Sequence, residues 1–117
     1  MRIITINKQG HINKNAKGKA LSAIGTSFKS EIEITYSELV TMLGEPNVRS
    51  DGYKVDAGWN INTPYGIATI YNYKTGKNYL GEKGKELEDI TDWHIGASDK
   101  RASDLVMVVI LKDELQR

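Results

Sequence analysis

The sequences GIATIYNYK at residues 66–74 and ITDWHIGAS at residues 90–98 predict two β-strands on either side of a charged, glycine-rich loop. Successive side chains of a strand point to opposite faces, so Trp93 in the second segment points away from Asp92 and His94. One apolar face and one polar face are typical of a half-buried antiparallel sheet. The polar face of such a sheet is either a wet surface or the floor of a binding site.

The first of these segments offers two different sets of binding groups. Alternation places Thr69, Tyr71 and Tyr73 on one face and Asn72 and Lys74 on the other. Exposed tyrosines can stack on a nucleobase, an asparagine can bond to the edge of the base, and cations can hold its phosphates. Alternation does not decide which face lines a pocket, and burial of one ring is the structural alternative for either tyrosine.

The clearest local signal in the chain is a capping box formed by Thr35 and Glu38. In this motif the hydroxyl and the carboxylate each accept a hydrogen bond from a free amide at the start of a helix. It predicts a short helix that begins at Tyr36 and buries one apolar stripe. Gly44, followed by Pro46, predicts where that helix ends.

Other segments predict further strands and two loops. Trp59 is expected to anchor the core, and the short TPYG link predicts that its strand pairs antiparallel with the next one. The polar stretch after the first strand predicts a loose hairpin, and residues 75–89 predict a mobile loop or a lid. The predicted strands are RIITIN (2–7), ALSAIGTSF (20–28), SEIEIT (30–35) and VDAGWNIN (55–62).

The C-terminal segment predicts a helix from residue 99 to about residue 115, capped by Ser98. Because residues 105–111 are seven consecutive apolar residues, LVMVVIL, a strand is the alternative. A helix there has two apolar stripes, more than one face of a small sheet can cover, so we expect a homodimer or a higher homo-oligomer. The stripes are Ala102/Leu105/Val106/Val109 and Met107/Val108/Leu111/Leu115.

Together these elements predict an α+β fold, an antiparallel β-sheet with a short helix after Thr35 and a C-terminal helix at 98–115. The 117 residues fit one domain, 1–117. Residues 1–30 contain six of the 16 basic residues and no acid, so this N-terminal hairpin region carries +6, while the other ten basic and 15 acidic residues leave −5. A basic arm on an acidic body can attract phosphates or a second subunit.

The composition also bears on the compartment of the protein. The chain contains no cysteine, which agrees with a reducing cytosol and excludes disulfides and thiolate sites. No apolar run approaches the roughly 20 residues of a membrane span. A strand-like segment begins straight after Met1, so we expect no leader peptide and a cytoplasmic protein without membrane contact.

Motifs for catalysis are sparse. A P-loop requires a lysine where this chain has Glu82. The two histidines are His11 and His94, and neither belongs to a metal motif such as HExxH. Asp92 and His94 would be about 7 Å apart on one strand face, too far for a direct hydrogen bond. We therefore expect no enzyme, no catalytic residue, no metal and no cofactor.

A second candidate binding feature is the start of the last helix. Its free amides would lie near Ser98, Lys100 and Arg101, a geometry that suits an anion. A capped helix start with surface cations is the structural alternative. Arg49, in the turn before the Trp59 strand, is a further candidate phosphate ligand. The complete set of candidate ligand-binding residues is Arg49, Tyr71, Asn72, Tyr73, Lys74, His94, Ser98, Lys100 and Arg101.

The segments IEITYSELVTMLGEPN, VDAGWNI, GIATIYNYK and ITDWHIGA occur in an order that resembles small phage-encoded accessory proteins. In those proteins a capped helix ending in Gly-x-Pro precedes a tryptophan strand, an ATIY strand and a WHIG segment. The resemblance covers residues 26–110.

The size, the β-rich body, the C-terminal helix and the expected oligomer also look like phage anti-defence sponges. Those proteins sequester nucleotide second messengers of bacterial immunity, such as cyclic ADP-ribose isomers in the Thoeris system. They stack aromatic rings on adenine and hold phosphates with arginines. The resemblance implies these roles for Tyr71 or Tyr73 and for Arg49 and Arg101.

The leading hypothesis is therefore non-catalytic sequestration of a small nucleotide-type signal by a phage protein in the bacterial host cytoplasm. The alternative is a phage inhibitor that binds a bacterial defence protein or nuclease directly, as anti-CRISPR proteins do, through the basic arm and residues 75–89. Direct nucleic-acid binding is the weakest hypothesis, because only the basic arm favours it. It predicts a steep salt dependence.

Overall fold

The structure is a computed structural model that describes residues 2–48, 52 and 54–116. Two short 3-10 turns, Gly81–Lys83 and Leu87–Asp89, separate the second helix from the last strand. The helices and strands in chain order are β1 (Ile3–Ile6), β2 (Ile12–Ala16), β3 (Ser27–Glu33), α1 (Tyr36–Leu43), β4 (Gly58–Thr63), β5 (Gly66–Tyr71), α2 (Lys77–Leu80), β6 (Asp92–Ala97) and α3 (Lys100–Leu115).

These strands form one sheet with the order β2-β1-β4-β5-β6-β3. Neighbouring strands are antiparallel except β1 and β4, which are parallel. The α+β class is thus confirmed, but the sheet is mixed rather than wholly antiparallel. The difference arises because no hairpin joins β1 to β4. The chain reaches β3 at the opposite edge and returns through α1, and only such a crossover allows parallel pairing.

The segment between β2 and β3 differs from the prediction. The predicted strand at 20–28 is wrong before Ser27, where β3 begins. Because β2 and β3 lie at opposite edges, residues 17–26 must cross the sheet. Where they cross β4, the side chain of Asn62 forms hydrogen bonds with their backbone. Its carboxamide accepts a hydrogen bond from the Leu21 amide at 3.1 Å and donates one to the Lys19 carbonyl at 2.9 Å. Ile24 in this segment is 91% exposed, so no strand face packs there.

Helix α1 has the predicted start and end. The Thr35 hydroxyl accepts from the Glu38 amide at 3.1 Å, and the Glu38 carboxylate accepts from the Thr35 amide at 3.4 Å. Gly44 follows the helix with φ of 82°, a value in the left-handed region that favours glycine. The capping box therefore fixes the start of α1, and the glycine allows the chain to leave it.

The core lies between one face of the sheet and helices α1 and α3. Trp59 and Trp93 are fully buried there, and their rings meet edge to face with centroids 5.5 Å apart. The expected core role of Trp59 is confirmed. The apolar core side chains of the central strands include Ile61, Ala68, Ile70, Ile95 and Ala97.

The C-terminal helix is confirmed and the alternative of a strand at 105–111 is excluded, since α3 continues from Lys100 to Leu115. Its cap is one residue later than predicted. Asp99, not Ser98, is the N-cap, because the Asp99 carboxylate accepts a hydrogen bond from the Arg101 amide at 2.9 Å. The predicted hairpin between β4 and β5 is also confirmed.

We predict that Thr35→Ala lowers the free energy of unfolding by about 1 kcal/mol, since it removes the acceptor for the Glu38 amide. Thr41→Ala is the matched control, because the exposed Thr41 hydroxyl bonds only within α1, to the Ser37 carbonyl. It should change the free energy by less than about 0.5 kcal/mol. Urea denaturation followed by tryptophan fluorescence measures both, and equal losses would contradict the role of the cap.

Candidate functional site

The sheet face turned away from α1 and α3 contains a small cavity. Strand pairing places Asn60 beside Thr69, Thr69 beside Gly96, and Tyr71 beside His94 on this face. The cavity has a volume of about 250 Å³. Its lining residues are Thr26, Ser27, Val48, Val55, Gly58, Asn60, Thr69, Ile70, Tyr71 and Gly96. Thr69 and Tyr71 line it, so the tyrosine face of β5, not the asparagine face, borders the cavity.

Two strand glycines in the cavity wall allow neighbouring groups to approach the backbone closely. A methyl group on Gly96 would lie 2.8 Å from the Thr69 hydroxyl, and one on Gly58 would lie 3.3 Å from the Ile70 carbonyl. Sequence reasoning missed both positions. The signal that could have found them is a glycine within a strand, which weakens the strand and often marks a close approach of backbone or ligand.

His94 is the centre of an aromatic cluster beside the cavity. The Tyr73 ring stacks on it with centroids 5.5 Å apart and an interplanar angle of 25°. Tyr71 meets it edge to face at 5.5 Å, and Phe28 lies tilted at 4.7 Å. Phe28 and Tyr73 are 52% and 38% exposed, so this aromatic cluster of Phe28, Tyr71, Tyr73 and His94 presents ring surface to solvent. Such surface can stack on a planar ligand.

Two lysines border the outer end of the aromatic cluster. The ammonium groups of Lys54 and Lys74 lie 5.8 and 5.3 Å from the centroid of the Tyr73 ring. Lys74 also lies 5.2 Å from the centroid of Tyr79. The predicted opposition of Tyr73 and Lys74 on two strand faces is wrong, because β5 ends at Tyr71 and Lys74 has φ of 60°. This left-handed conformation, rare for lysine, ends the alternation.

The surroundings of Tyr71 favour the neutral form of its phenol. Burial raises the pKa of Tyr71 above its ordinary value, and the neighbouring Tyr73 raises it further. Its phenol therefore remains a hydrogen-bond donor at neutral pH. His94 Nε2 lies 3.4 Å from a carboxylate oxygen of Glu31 on the adjacent strand.

Asn72 is buried and stabilises the fold, so it does not belong to the surface of the site. It is fully buried, and its carboxamide oxygen accepts from the amides of Asp56 at 2.8 Å and Ala57 at 3.0 Å. Its nitrogen donates to the Asp56 carboxylate at 2.9 Å. The carboxamide therefore joins the end of β5 to the chain before β4, and no part of it is left to bond to a ligand.

The predicted loop at 75–89 contains regular structure. Besides α2 and the two 3-10 turns, it has a salt bridge of 2.5 Å between Lys77 and Glu86. The Asp56 carboxylate accepts from the Asn78 amide at 3.2 Å, and a methyl group on Gly76 would overlap that carboxylate. This segment is therefore fastened to Asp56 at its start.

The start of α3 is occupied by groups of the protein itself. Besides capping the helix, the Asp99 carboxylate accepts from the Arg101 guanidinium at 2.7 Å, and Lys100 pairs with Asp104 at 2.9 Å. The side-chain and backbone hydrogen bonds from Arg101 lower the pKa of Asp99 to about 2. Ser98 is exposed. To bind at the start of α3, an anion would have to displace the Asp99 carboxylate, which already accepts these hydrogen bonds.

The predicted site residues fall into two places. The structure brings Tyr71, Tyr73, Lys74 and His94 together. Ser98 follows four residues after His94, about 13 Å along an extended strand, so the start of α3 is a separate region. Arg49 lies outside the described residues.

Comparison of the chain with protein families, with curated proteins and with solved structures gives no match. Within residues 2–48, 52 and 54–116, no cluster of three or more metal-ligating side chains could hold a metal ion. In the same part of the chain, no helix has both the length and the apolar character needed to cross a membrane.

The cap of α3 predicts a pH dependence of stability. Because the pKa of Asp99 is about 2 in the folded state, below an ordinary carboxyl, its contribution is present at neutral pH and is lost as the pH falls from about 4 towards 2. Asp99→Asn keeps a capping oxygen but removes the charge, so its melting temperature should fall less over this range. Asp92→Asn, on an exposed carboxylate, is the control and should retain the wild-type profile. Identical profiles for all three proteins would contradict this role.

Proposed function

We propose that this protein binds a small nucleotide-type molecule, without catalysis, on the sheet face that carries the cavity and the aromatic cluster. The observation that carries the proposal is the order of groups along this face. An apolar cavity is followed by Tyr71, then by His94 and Tyr73, and finally by the ammonium groups of Lys54 and Lys74. Aromatic rings can stack on the base of a nucleotide, and cations beyond them can bind its phosphates.

The size of the cavity supports partial entry of the ligand. A volume of about 250 Å³ is below the roughly 300–1,000 Å³ of pockets that enclose a whole drug-sized ligand. We infer that the base enters between Gly58 and Gly96 and stacks on Tyr71. The remainder then extends over the aromatic cluster, so that its phosphates reach the two lysines.

The surroundings of His94 favour binding over catalysis. Three aromatic rings surround the imidazole, and Glu31 lies beside Nε2. A general base needs to reach a proton of the substrate within hydrogen-bond distance. The His94 side chain is 24% exposed and packs among these rings, so we assign it to supporting them rather than to proton transfer.

Together with the resemblance to phage anti-defence sponges, this site leads us to propose sequestration of a cyclic ADP-ribose-like immune signal in the bacterial host cytoplasm. A sponge must bind tightly and return its ligand unchanged. Isothermal titration calorimetry with cyclic ADP-ribose isomers and ADP-ribose tests binding. Mass spectrometry of the ligand released by denaturation then tests its integrity. If none of these nucleotides binds, the proposal is overturned. If the released ligand is hydrolysed, the protein is an enzyme rather than a sponge.

We predict that Tyr71→Ala weakens binding of the nucleotide by about 5- to 150-fold, the loss expected for one base–aromatic stack. Tyr71→Phe retains the ring and should stay within a fewfold of the wild type. Calorimetric titration with the same nucleotide measures both variants, after circular dichroism has shown that each is folded. If Tyr71→Ala and the wild type bind the nucleotide with equal affinity, the base does not stack on Tyr71.

The two cationic regions can be separated by a matched pair of variants. Lys74→Ala should weaken binding and flatten its dependence on salt, because it removes a phosphate contact. Arg101→Ala should leave the affinity unchanged, because Arg101 is already paired with Asp99 and lies over the Tyr65 ring at 4.9 Å. The reverse result would move the phosphate site to the start of α3. Titrations at low and high salt measure both.

A second candidate function is supported by exposed apolar residues on the basic arm. Leu21, Ile24 and Phe28 are 43%, 91% and 52% exposed in a segment that contains no acidic residue. An inhibitor that binds an acidic surface of a bacterial defence protein would use such residues as anchors. Affinity capture from a bacterial lysate distinguishes the two. A stoichiometric protein partner that is lost with Ile24→Glu favours the inhibitor.

A further inference from the structure

Helix α3 has one buried face and one apolar face that no described residue covers. Ala102, Val106 and Ile110 are fully buried against the sheet. On the opposite side, Val108 and Leu111 are 48% and 43% exposed. Leu115, one turn further on, is 85% exposed. The first predicted stripe is thus mostly core, whereas most of the second lies on the surface.

The exposed face is arranged symmetrically about Val108. Residues of a helix follow one another by about 100°, so positions three, four and seven residues away from Val108 lie within about 60° of it. Those positions are Arg101, Asp104, Leu105, Leu111, Lys112 and Leu115. If two copies of α3 pack antiparallel with the twofold axis at Val108, residues at equal distances before and after it face each other.

This pairing is complementary in charge and in apolar character. Asp104 faces the partner's Lys112, and by symmetry Lys112 faces the partner's Asp104. Leu105 faces the partner's Leu111. Both side chains are exposed in the monomer, where Asp104 pairs with Lys100 on its own helix at 2.9 Å, so the partner's Lys112 would join or replace this exposed pair. In a parallel arrangement each residue would instead face its own copy, so Asp104 would meet Asp104.

The surface beside α3 is also shaped for this partner. A shallow groove of about 310 Å³ lies between α3 and Tyr65, and its lining residues are Tyr65, Arg101, Asp104, Leu105 and Val108. In the antiparallel pair the partner's Leu115 falls beside Arg101, at the end of this groove. Leu115 is the most exposed of the large apolar residues of α3, at 85%, and this contact would cover part of it.

We propose that the protein forms an isologous homodimer through an antiparallel α3–α3 contact centred on Val108. The interface uses the same patch of both copies, so two copies satisfy it and no further copy can add to it. One helix pair is smaller than a standard interface of about 1,600 Å², so we expect a weak and reversible dimer. The contact lies on the helix side of the sheet and does not depend on the proposed ligand.

Sedimentation equilibrium from about 1 μM to 1 mM tests this dimer, a range that brackets a weak interface. The wild type should change from monomer to dimer within it. Val108→Glu should stay monomeric, while Ile24→Glu, an equally drastic change at an exposed residue far along the chain, should dimerise as the wild type does. A wild type that is monomeric throughout, or a dimer unaffected by Val108→Glu, overturns the proposal.

Single cysteines test the antiparallel register, because the natural chain contains none. Under mild oxidation Val108→Cys should form a disulfide dimer, since this residue lies on the axis. Asp104→Cys alone should not, but it should cross-link to Lys112→Cys when the two variants are mixed. Efficient self-cross-linking of Asp104→Cys would indicate a parallel pair and overturn the register.

Charge reversal provides an independent test of the ion pair. Asp104→Lys places like charges opposite each other at two symmetric positions, so it should weaken the dimer by roughly three- to thirtyfold. The double variant Asp104→Lys/Lys112→Asp restores opposite charges and should regain most of the loss. A double variant no tighter than the single variant overturns the proposed pairing.

Discussion

Two buried tryptophans determine how the helical layer lies on the sheet. The indole nitrogen of Trp93 donates to the Ile34 carbonyl just before α1 at 3.0 Å, and that of Trp59 donates to the Gly44 carbonyl just after it at 2.9 Å. Both ends of the helix are thereby held over β6 and β4. Since an unpaired buried carbonyl or indole costs about 1–3 kcal/mol, other positions of α1 are disfavoured. Both rings pack on the side of the sheet that α1 and α3 cover.

The features that sequence predicted well are those set by neighbouring residues. The reciprocal bonds between Thr35 and Glu38 need only four consecutive residues, and Gly44 ends the same helix through its own φ. The hairpin of β4 and β5 likewise depends on a turn of four residues, TPYG at 63–66. All the residues that form such a signal lie within a few positions of one another, so contacts with distant residues did not change the predicted structure. The burial of Trp59 follows equally from the alternation of its own strand.

The features that sequence did not predict depend on residues far apart in the chain. The parallel pairing of β1 with β4 requires knowing that β3 goes to the opposite edge. Asn72 looked like a surface amide because alternation says nothing of Asp56, the partner 16 residues earlier that binds it. The cavity likewise depends on Gly58 and Gly96, which become neighbours of Tyr71 and Thr69 only after the strands pair.

The one-sided helical layer also separates the two proposed surfaces. The proposed ligand face is the side of β4, β5 and β6 that carries Thr69, Tyr71 and His94, whereas α3 packs on the other side through Val106. Pairing through Val108, as proposed, would therefore direct these two faces outward and away from each other. In the proposed dimer the seam lies on the outer side of α3, whereas the inner side of α3 packs on β5 and β6, which carry the cavity on their far face. Coupling between the proposed sites would require a contact that differs between two states of the protein. We therefore expect the proposed dimer to bind two ligands independently, without cooperativity.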